Sequence, residues 1–437
     1  MRTNKLFYIL LCSVLLTITA CDFINDDFTK DPNNPTSVTP GALLTSIETS
    51  IAYTQGGEVS RYTSIFIQSL KGIGRQHEAY NRYIMPAETF NNIWSNYYST
   101  ALEDIQQLKI LADGKGYKAY AGIAKALEAY TIGTMTDLWG GLPYSNAFKG
   151  TDNLQPTYDS QEEIYAKIQE LLTAAKADLS GDLGDITPDA DDFIYEGNTD
   201  RWLKFVNVLS ARYYLHLSKK DASNAQKAIE AIGTAGFETT EDDAKYAFGN
   251  SETAANPAYQ FLQQRAGDIT YADTYLTDKL DAMNDPRLEV YVDMESGDLA
   301  SFYGSINSPV FFLTYAEQNF ILAEAYVIKS DLVKAKQYYD IGVKAAMKQV
   351  GVPESAAAAY PFDVTKPLET IMLQKYFALF LQPESFVDWR RTGYPAITPN
   401  SGTEIPRRFT YPQSELDYNS ANVPKPNTLF DKVWWEQ

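Results

Sequence analysis

The stretch from Tyr315 to Val350 constrains the fold more than any other part of the chain. Apolar residues recur at helical spacing from Tyr315 to Lys329 and again from Leu332 to Val350. The two runs read as a close pair of helices. Ala323, Ala335 and Gly342 supply small side chains that let helices approach, and Tyr326 and Tyr339 supply rings to fill the adjoining grooves. The same periodicity predicts helices over 43–54, 58–71, 95–112, 117–138, 160–179, 200–218, 222–232, 270–283 and 367–381, the last being the final strong one. Ser160 followed by Glu163 is a capping-box pattern for the 160–179 helix.

These small-and-large offsets are those of a tetratricopeptide helix hairpin, with 97–137 and 160–217 as looser versions. The expected fold class is therefore all-α: a tetratricopeptide-like helix-hairpin scaffold with long ligand-facing loops and minor β structure. The irregular stretches are 72–94, 140–159, 180–199, 237–268, 284–314 and 394–437. Long segments of this kind in a compact protein are usually functional. Tyr291-Val292 and the run from Val310 to Leu313 are expected as minor strands. No linker interrupts 41–437, so one domain is expected there.

The N-terminus carries a different signal. Arg2 and Lys5 precede an apolar run from Leu6 to Ala20, which ends in Ile18-Thr19-Ala20-Cys21. This is the layout of an export signal with small residues before the cut. Residues 1–20 are expected to be a lipoprotein signal peptide, with Cys21 as the acceptor for diacylglyceryl and N-acyl chains such as palmitate. The alternative is an ordinary secretory signal that happens to hold a cysteine. The apolar run is shorter than the ~20 residues that span a bilayer. Residues 21–40, acidic and proline-rich, read as a solvated tether.

Charge narrows the partners. The chain has 37 basic and 56 acidic residues, and removing residues 1–20 leaves a net charge near −21. Nucleic acid, which needs a basic footprint, is excluded, and so is electrostatic adhesion to an anionic membrane. The two cysteines are Cys12, in the signal, and Cys21, so no disulfide or thiolate metal site is expected in the mature fold. His77 and His216 are the two histidines, too few for a multi-histidine metal site. An EF-hand starting at Asp189 fails because Ile194 stands where glycine is needed. No metal and no cofactor is expected, although a calcium site of another kind from Asp189, Asp191 and Asp192 stays open. Tyrosine is in excess, at 31 residues; its ring gives apolar area and its hydroxyl a polar handle, which suits sugar or peptide surfaces.

Several strings, in order, carry a family resemblance: DPNNPT (31–36), Asp137-Leu138-Trp139-Gly140 with Leu142-Pro143-Tyr144, YDSQEEIY (158–165), GNTDRWLKFVNVLSARYYLHLS (197–218), NDPRL (284–288), FILAEAY (320–326), QKYFALFLQPESFVDWRRTGYP (374–395), IPRRFTYPQSELDYNSAN (405–422) and KVWW (432–435). Together with the lipid signal, they make the chain resemble the SusD/RagB-type nutrient-uptake lipoproteins of Bacteroidetes. The resemblance implies four tetratricopeptide-like hairpins with loop excursions as the ligand face. It implies an outer-membrane, cell-surface location, and a partner in a SusC-type TonB-dependent barrel over which the protein acts as lid. Asp22, Asp26 and Asp27, after the lipidated cysteine, are similar to this phylum's surface-export signal.

The first expectation for ligand contact is the 72–94 segment, through Arg75, Gln76, His77, Tyr80 and Tyr83. Rings stack on the C–H faces of a sugar, while Arg, Gln and His donate hydrogen bonds. Phe302 and Tyr303 are second. Asp388-Trp389-Arg390-Arg391, Arg212 and Asn207 are expected to brace the fold, and the tail is expected to dock at least one of Trp434 and Trp435. No Gly-x-Ser-x-Gly elbow or HExxH is present, so no catalytic residue is assigned. The expected function is a non-enzymatic, lipid-anchored receptor for oligosaccharide or peptide. A surface glycosidase and a protein-only helical-repeat scaffold are the alternatives.

Overall fold

Helices follow one another in space nearly as they do in sequence. The structure, a computed structural model, describes residues 38–437. The signal peptide, Cys21 and the tether up to residue 37 lie outside the described residues. The scaffold helices are α1 (Pro40–Thr54), α2 (Glu103–Lys115), α3 (Lys118–Trp139), α4 (Gln161–Leu179), α5 (Thr199–His216), α6 (Ser223–Ile232), α7 (Tyr315–Ile328), α8 (Leu332–Gln349), α9 (Pro367–Ala378) and α10 (Glu384–Thr392). α1 packs on α2, α3 on α4, α5 on α6 and α7 on α8, and each pair also touches the next. This is the predicted all-α hairpin scaffold.

The local reasons are those seen in sequence. Ser160 accepts from the Glu163 amide and the Glu163 carboxylate returns the bond, which fixes the start of α4. Thr39 caps α1, and Pro40 sits at its first turn, where a missing N–H costs nothing. In the α7–α8 pair, Ala323, Ala335 and Tyr339 are buried. A Cβ added at Gly342 would stand 3.0 Å from the Phe320 ring, so glycine sets the approach of the two helices. Tyr326 stays half-buried, its ring stacked 5.5 Å from Tyr338.

Three antiparallel two-stranded ribbons tie the loops down: β1 (Lys71–Gly72) with β5 (Ile269–Thr270), β2 (Leu142–Pro143) with β3 (Tyr158–Asp159), and β4 (Ala244–Tyr246) with β6 (Val310–Leu313). β6 is the predicted strand. Tyr291-Val292 is not a strand: Tyr291 ends a short helix, Arg287–Tyr291, and Val292 makes a single bridge to Leu299. Asp285 decides this, because its carboxylate accepts from the Arg287 amide at 3.0 Å and starts the helix.

α10 is a helix that the periodicity did not reveal, because its inward face is charged. Arg391 donates to both oxygens of Glu324, at 2.8 and 2.9 Å, and to Asp388 at 2.6 Å. Lys375 of α9 pairs with Asp388 at 2.7 Å. Arg212 grips Glu317 with two bonds of 2.6 Å. His216 lies between Glu384 at 2.7 Å and Asp137 at 3.3 Å. Burial alone would lower its pKa, but these two carboxylates override burial and raise it to about 9. Trp435 is buried, and its indole N–H donates to Asp137 at 3.0 Å. The tail is docked by this contact, and Arg390, Arg391, Arg212 and Trp389 brace the scaffold as expected. Asn207 does so too: its amide donates to the Ala235 carbonyl at 2.9 Å.

Candidate functional site

A kink between two helical runs shapes the surface beside the β1–β5 ribbon. α1 passes into a widened turn at Gln55–Val59 and then into a second helix, Ser60–Phe66. Gly57 leaves helical geometry there. Gly56 is required by contact, since a Cβ would stand 2.4 Å from Val310. The turn points Gln55 inward, where its amide donates to the Phe311 carbonyl at 2.8 Å. Widened turns of this kind are frequent at functional sites. On the outer side it leaves Tyr53, Glu58 and Arg61 facing a cleft.

Two further short helices complete the walls. Asn256 caps the helix Pro257–Gln264 by accepting from the amides of Ala258 at 2.8 Å and Tyr259 at 3.2 Å. That helix contributes Gln260, Phe261 and Gln264. The helix Asn91–Asn96 contributes Asn92 and Asn96, one turn apart. The resulting cleft has a volume of about 340 Å³, at the small end of the range for ligand sites.

Its chemistry is mixed. The Arg61 guanidinium lies 3.8 Å from the centre of the Phe261 ring, a cation–π contact. Arg61 Nε has no hydrogen-bond partner among the described residues. Burial raises the pKa of Glu58, whose Oε1 accepts from the Tyr62 hydroxyl at 3.2 Å. The amides of Asn92, Asn96 and Gln264 each bring a donor and an acceptor, while Gln260 is engaged with Tyr53 and the Glu252 carbonyl. A ring beside a planar cation and several amides can stack on one face of a sugar and bond its hydroxyls.

The predicted contact residues take different places. Arg75 and Gln76 are exposed, and Arg75 pairs with Asp268. His77 is buried, with its ring 5.1 Å from Phe261, so it backs the cleft wall from inside. Its Nδ1 is 3.4 Å from the Asp268 carboxylate, too poorly aligned for a hydrogen bond. Burial and the Arg61 charge lower the pKa of His77 to about 4 despite Asp268, so the ring is neutral at neutral pH. Tyr80 is half-buried against Tyr62 and His77. Tyr83 and Tyr303 are buried and pack in the core, and the Tyr83 hydroxyl accepts from the Asn400 amide at 3.0 Å. Phe302 is half-buried on Phe311, away from the cleft lining.

The expected contact residues do not include Arg61, Phe261, Asn92 or Gln260, which line the cleft. The available signal was Gly56-Gly57 inside a helical run, where glycine costs about 1 kcal/mol per residue. The carboxylates of the acidic loop are engaged within the fold. Asp192 accepts from the amides of Ile194, Tyr195 and Gly197 and from the Trp202 indole. Asp191 accepts from the Asp189 amide and the Tyr120 hydroxyl. Among the described residues, no three potential metal ligands converge.

Comparison with known proteins gives a consistent picture. A family model described as starch-binding and associating with the outer membrane matches residues 32–307 and 296–412. A chitin-binding protein of known structure is 22% identical, with a TM-score of 0.80 over 91% of this chain and 100% of that one. A SusD/RagB family protein from Bacteroides thetaiotaomicron is 25% identical, with a TM-score of 0.73 over 92% and 99%. A chitin-binding SusD homolog from Flavobacterium johnsoniae is 22% identical, with a TM-score of 0.75 over 91% and 98%. Among curated proteins, none matches the chain.

Proposed function

The chain belongs to the SusD-like family, and from that premise we propose that it captures a neutral oligosaccharide in the cleft walled by Arg61 and Phe261. The family is one of outer-membrane-associated glycan-binding proteins. Its described starch ligand and the chitin named for two structural neighbours are both uncharged sugar polymers. The observation that carries the reading is the Arg61 guanidinium seated 3.8 Å from the Phe261 ring centre in the lining of the cleft, half-buried there. It presents donors to sugar hydroxyls while Phe261 and Tyr53 present rings. Arg75, Gln76, Tyr80 and Phe302 are proposed as outer contacts for a longer ligand or for the transporter.

The protein acts as a binder, not an enzyme. Glycoside hydrolysis uses a pair of carboxyls, whereas the cleft is lined by a single one, Glu58. It is held at the cell surface by lipid on Cys21 and serves as lid for a SusC-type TonB-dependent barrel. Among the described residues no helix is long and apolar enough to cross a membrane, which fits an anchor supplied by lipid.

Calorimetric titration with malto-oligosaccharides, chito-oligosaccharides, oligogalacturonate and a mixed peptide pool tests the ligand class. Binding of a neutral glycan, without any shortening of it, is expected. Tight binding of peptide alone, or turnover of the glycan, would replace this reading. Mass spectrometry of the mature N-terminus and membrane fractionation of Cys21→Ala test the anchor: the variant should be released in soluble form.

A further inference from the structure

A second cleft lies across Tyr53 from the first. Its volume is about 760 Å³, and its aromatic lining is Tyr53, Phe193, Tyr246 and Phe248. Tyr53 lines both clefts. Its hydroxyl donates to Gln260 at 3.0 Å, which holds the ring at the boundary. Tyr53 and Phe193 are 46% and 45% exposed, while Tyr246 and Phe248 beneath them are buried. Each leaves nearly half of its ring surface in water beside one groove, apolar area that an occupant would cover.

The rings are held in place. Phe193 meets Tyr246 edge-on at 5.7 Å, and Tyr246 meets Phe248 at 4.9 Å. The Tyr246 hydroxyl shares a 2.8 Å hydrogen bond with Thr49 of α1. The Phe193 amide donates to buried Glu48 at 2.7 Å, and the amides after it close on Asp192. Phe193 thus stands on a braced loop, so ordering it on binding costs little. The ionisable lining is Asp189, Asp192 and Glu196, with no lysine or arginine among the described lining residues. That sign repels uronates and sulfated sugars and leaves uncharged ones unaffected.

We propose that this cleft is a second sugar subsite, which takes the distal residues of a neutral oligosaccharide whose other end lies on Arg61 and Phe261. The inference rests on the function proposed above, and it adds a length requirement: the ligand must cross Tyr53. Affinity should therefore rise with chain length and then level off.

The test is calorimetric titration of malto- and chito-oligosaccharides of two to eight residues against the unaltered protein, Phe193→Ala and Arg61→Ala. Phe193→Ala should cut affinity about tenfold for the long ligands, as expected for loss of one stacking ring, and leave disaccharide binding unchanged. Arg61→Ala should weaken every length. Equal affinity across lengths, or an equal loss at all lengths in Phe193→Ala, would overturn the second subsite while leaving the first cleft standing. Loss of no affinity in Arg61→Ala, or no binding of any oligosaccharide, would remove both readings together.

Discussion

Arg391 and Arg61 are the same residue type put to opposite uses. Arg391 is buried in the scaffold, with two bonds to Glu324 and one to Asp388. Arg61 is half-buried at the cleft, stacked on Phe261, with no ion pair within 4 Å among the described residues. The first guanidinium is spent on joining α7 to α10. The second lies over a ring in the cleft lining, with Nε buried and without a partner among the described residues. A charged side chain therefore says little by itself; its partners decide whether it builds the fold or meets a ligand.

Breaking the scaffold member of this pair should have the largest effect. Arg391→Ala leaves Glu324 and Asp388 as buried acids with one partner fewer, and removing one side of such a pair costs about 3–5 kcal/mol. Chemical denaturation should show that loss, while the fraction that remains folded binds glycan normally. A similar affinity loss per folded molecule would mean that the two regions are not separate.

The buried histidine sharpens the contrast through pH. His216 has its pKa raised to about 9 between Glu384 and Asp137, against about 6.5 when unfolded. A raised folded pKa means that the stabilisation is complete below about pH 6.5 and fades as pH climbs through 9. It is worth on the order of 3 kcal/mol. Denaturant midpoints measured from pH 6 to pH 10 should fall across that window. His77, on the cleft side, is already neutral above about pH 4, so ligand affinity should stay flat over the same range.

The smallest effect should come from the α4 cap. Ser160→Ala removes a capping-box hydroxyl and should cost about 1 kcal/mol in a thermal or denaturant melt, with no change in glycan binding.

Much of the scaffold was legible because its helices follow a local rule. Leu102, Ile105 and Leu108 are buried at helical spacing, Ser160 and Glu163 form the box their spacing foretold, and Gly342 sits where a ring passes close. α10 was not legible, because Asp388, Arg390 and Arg391 turn charge inward, against the usual apolar-in pattern. The cleft was harder still. Its walls come from residues 53–61, 92–96 and 257–264, and no local period links segments so far apart. The β1–β5 ribbon and the Gly56-Gly57 kink bring them together. The 72–94 segment, read as the ligand face, runs beside this cleft, with His77 and Tyr83 turned inward.

Arg61 makes no ion pair within 4 Å among the described residues, so its charge is available to a ligand. One paired measurement tests this: the melting temperature and the glycan affinity of Arg61→Ala beside those of the unaltered protein. The melt should move by no more than about a degree or two, together with at least a tenfold loss of affinity for a neutral oligosaccharide. A variant that binds as tightly as before, or one that loses affinity only because it unfolds, would contradict it.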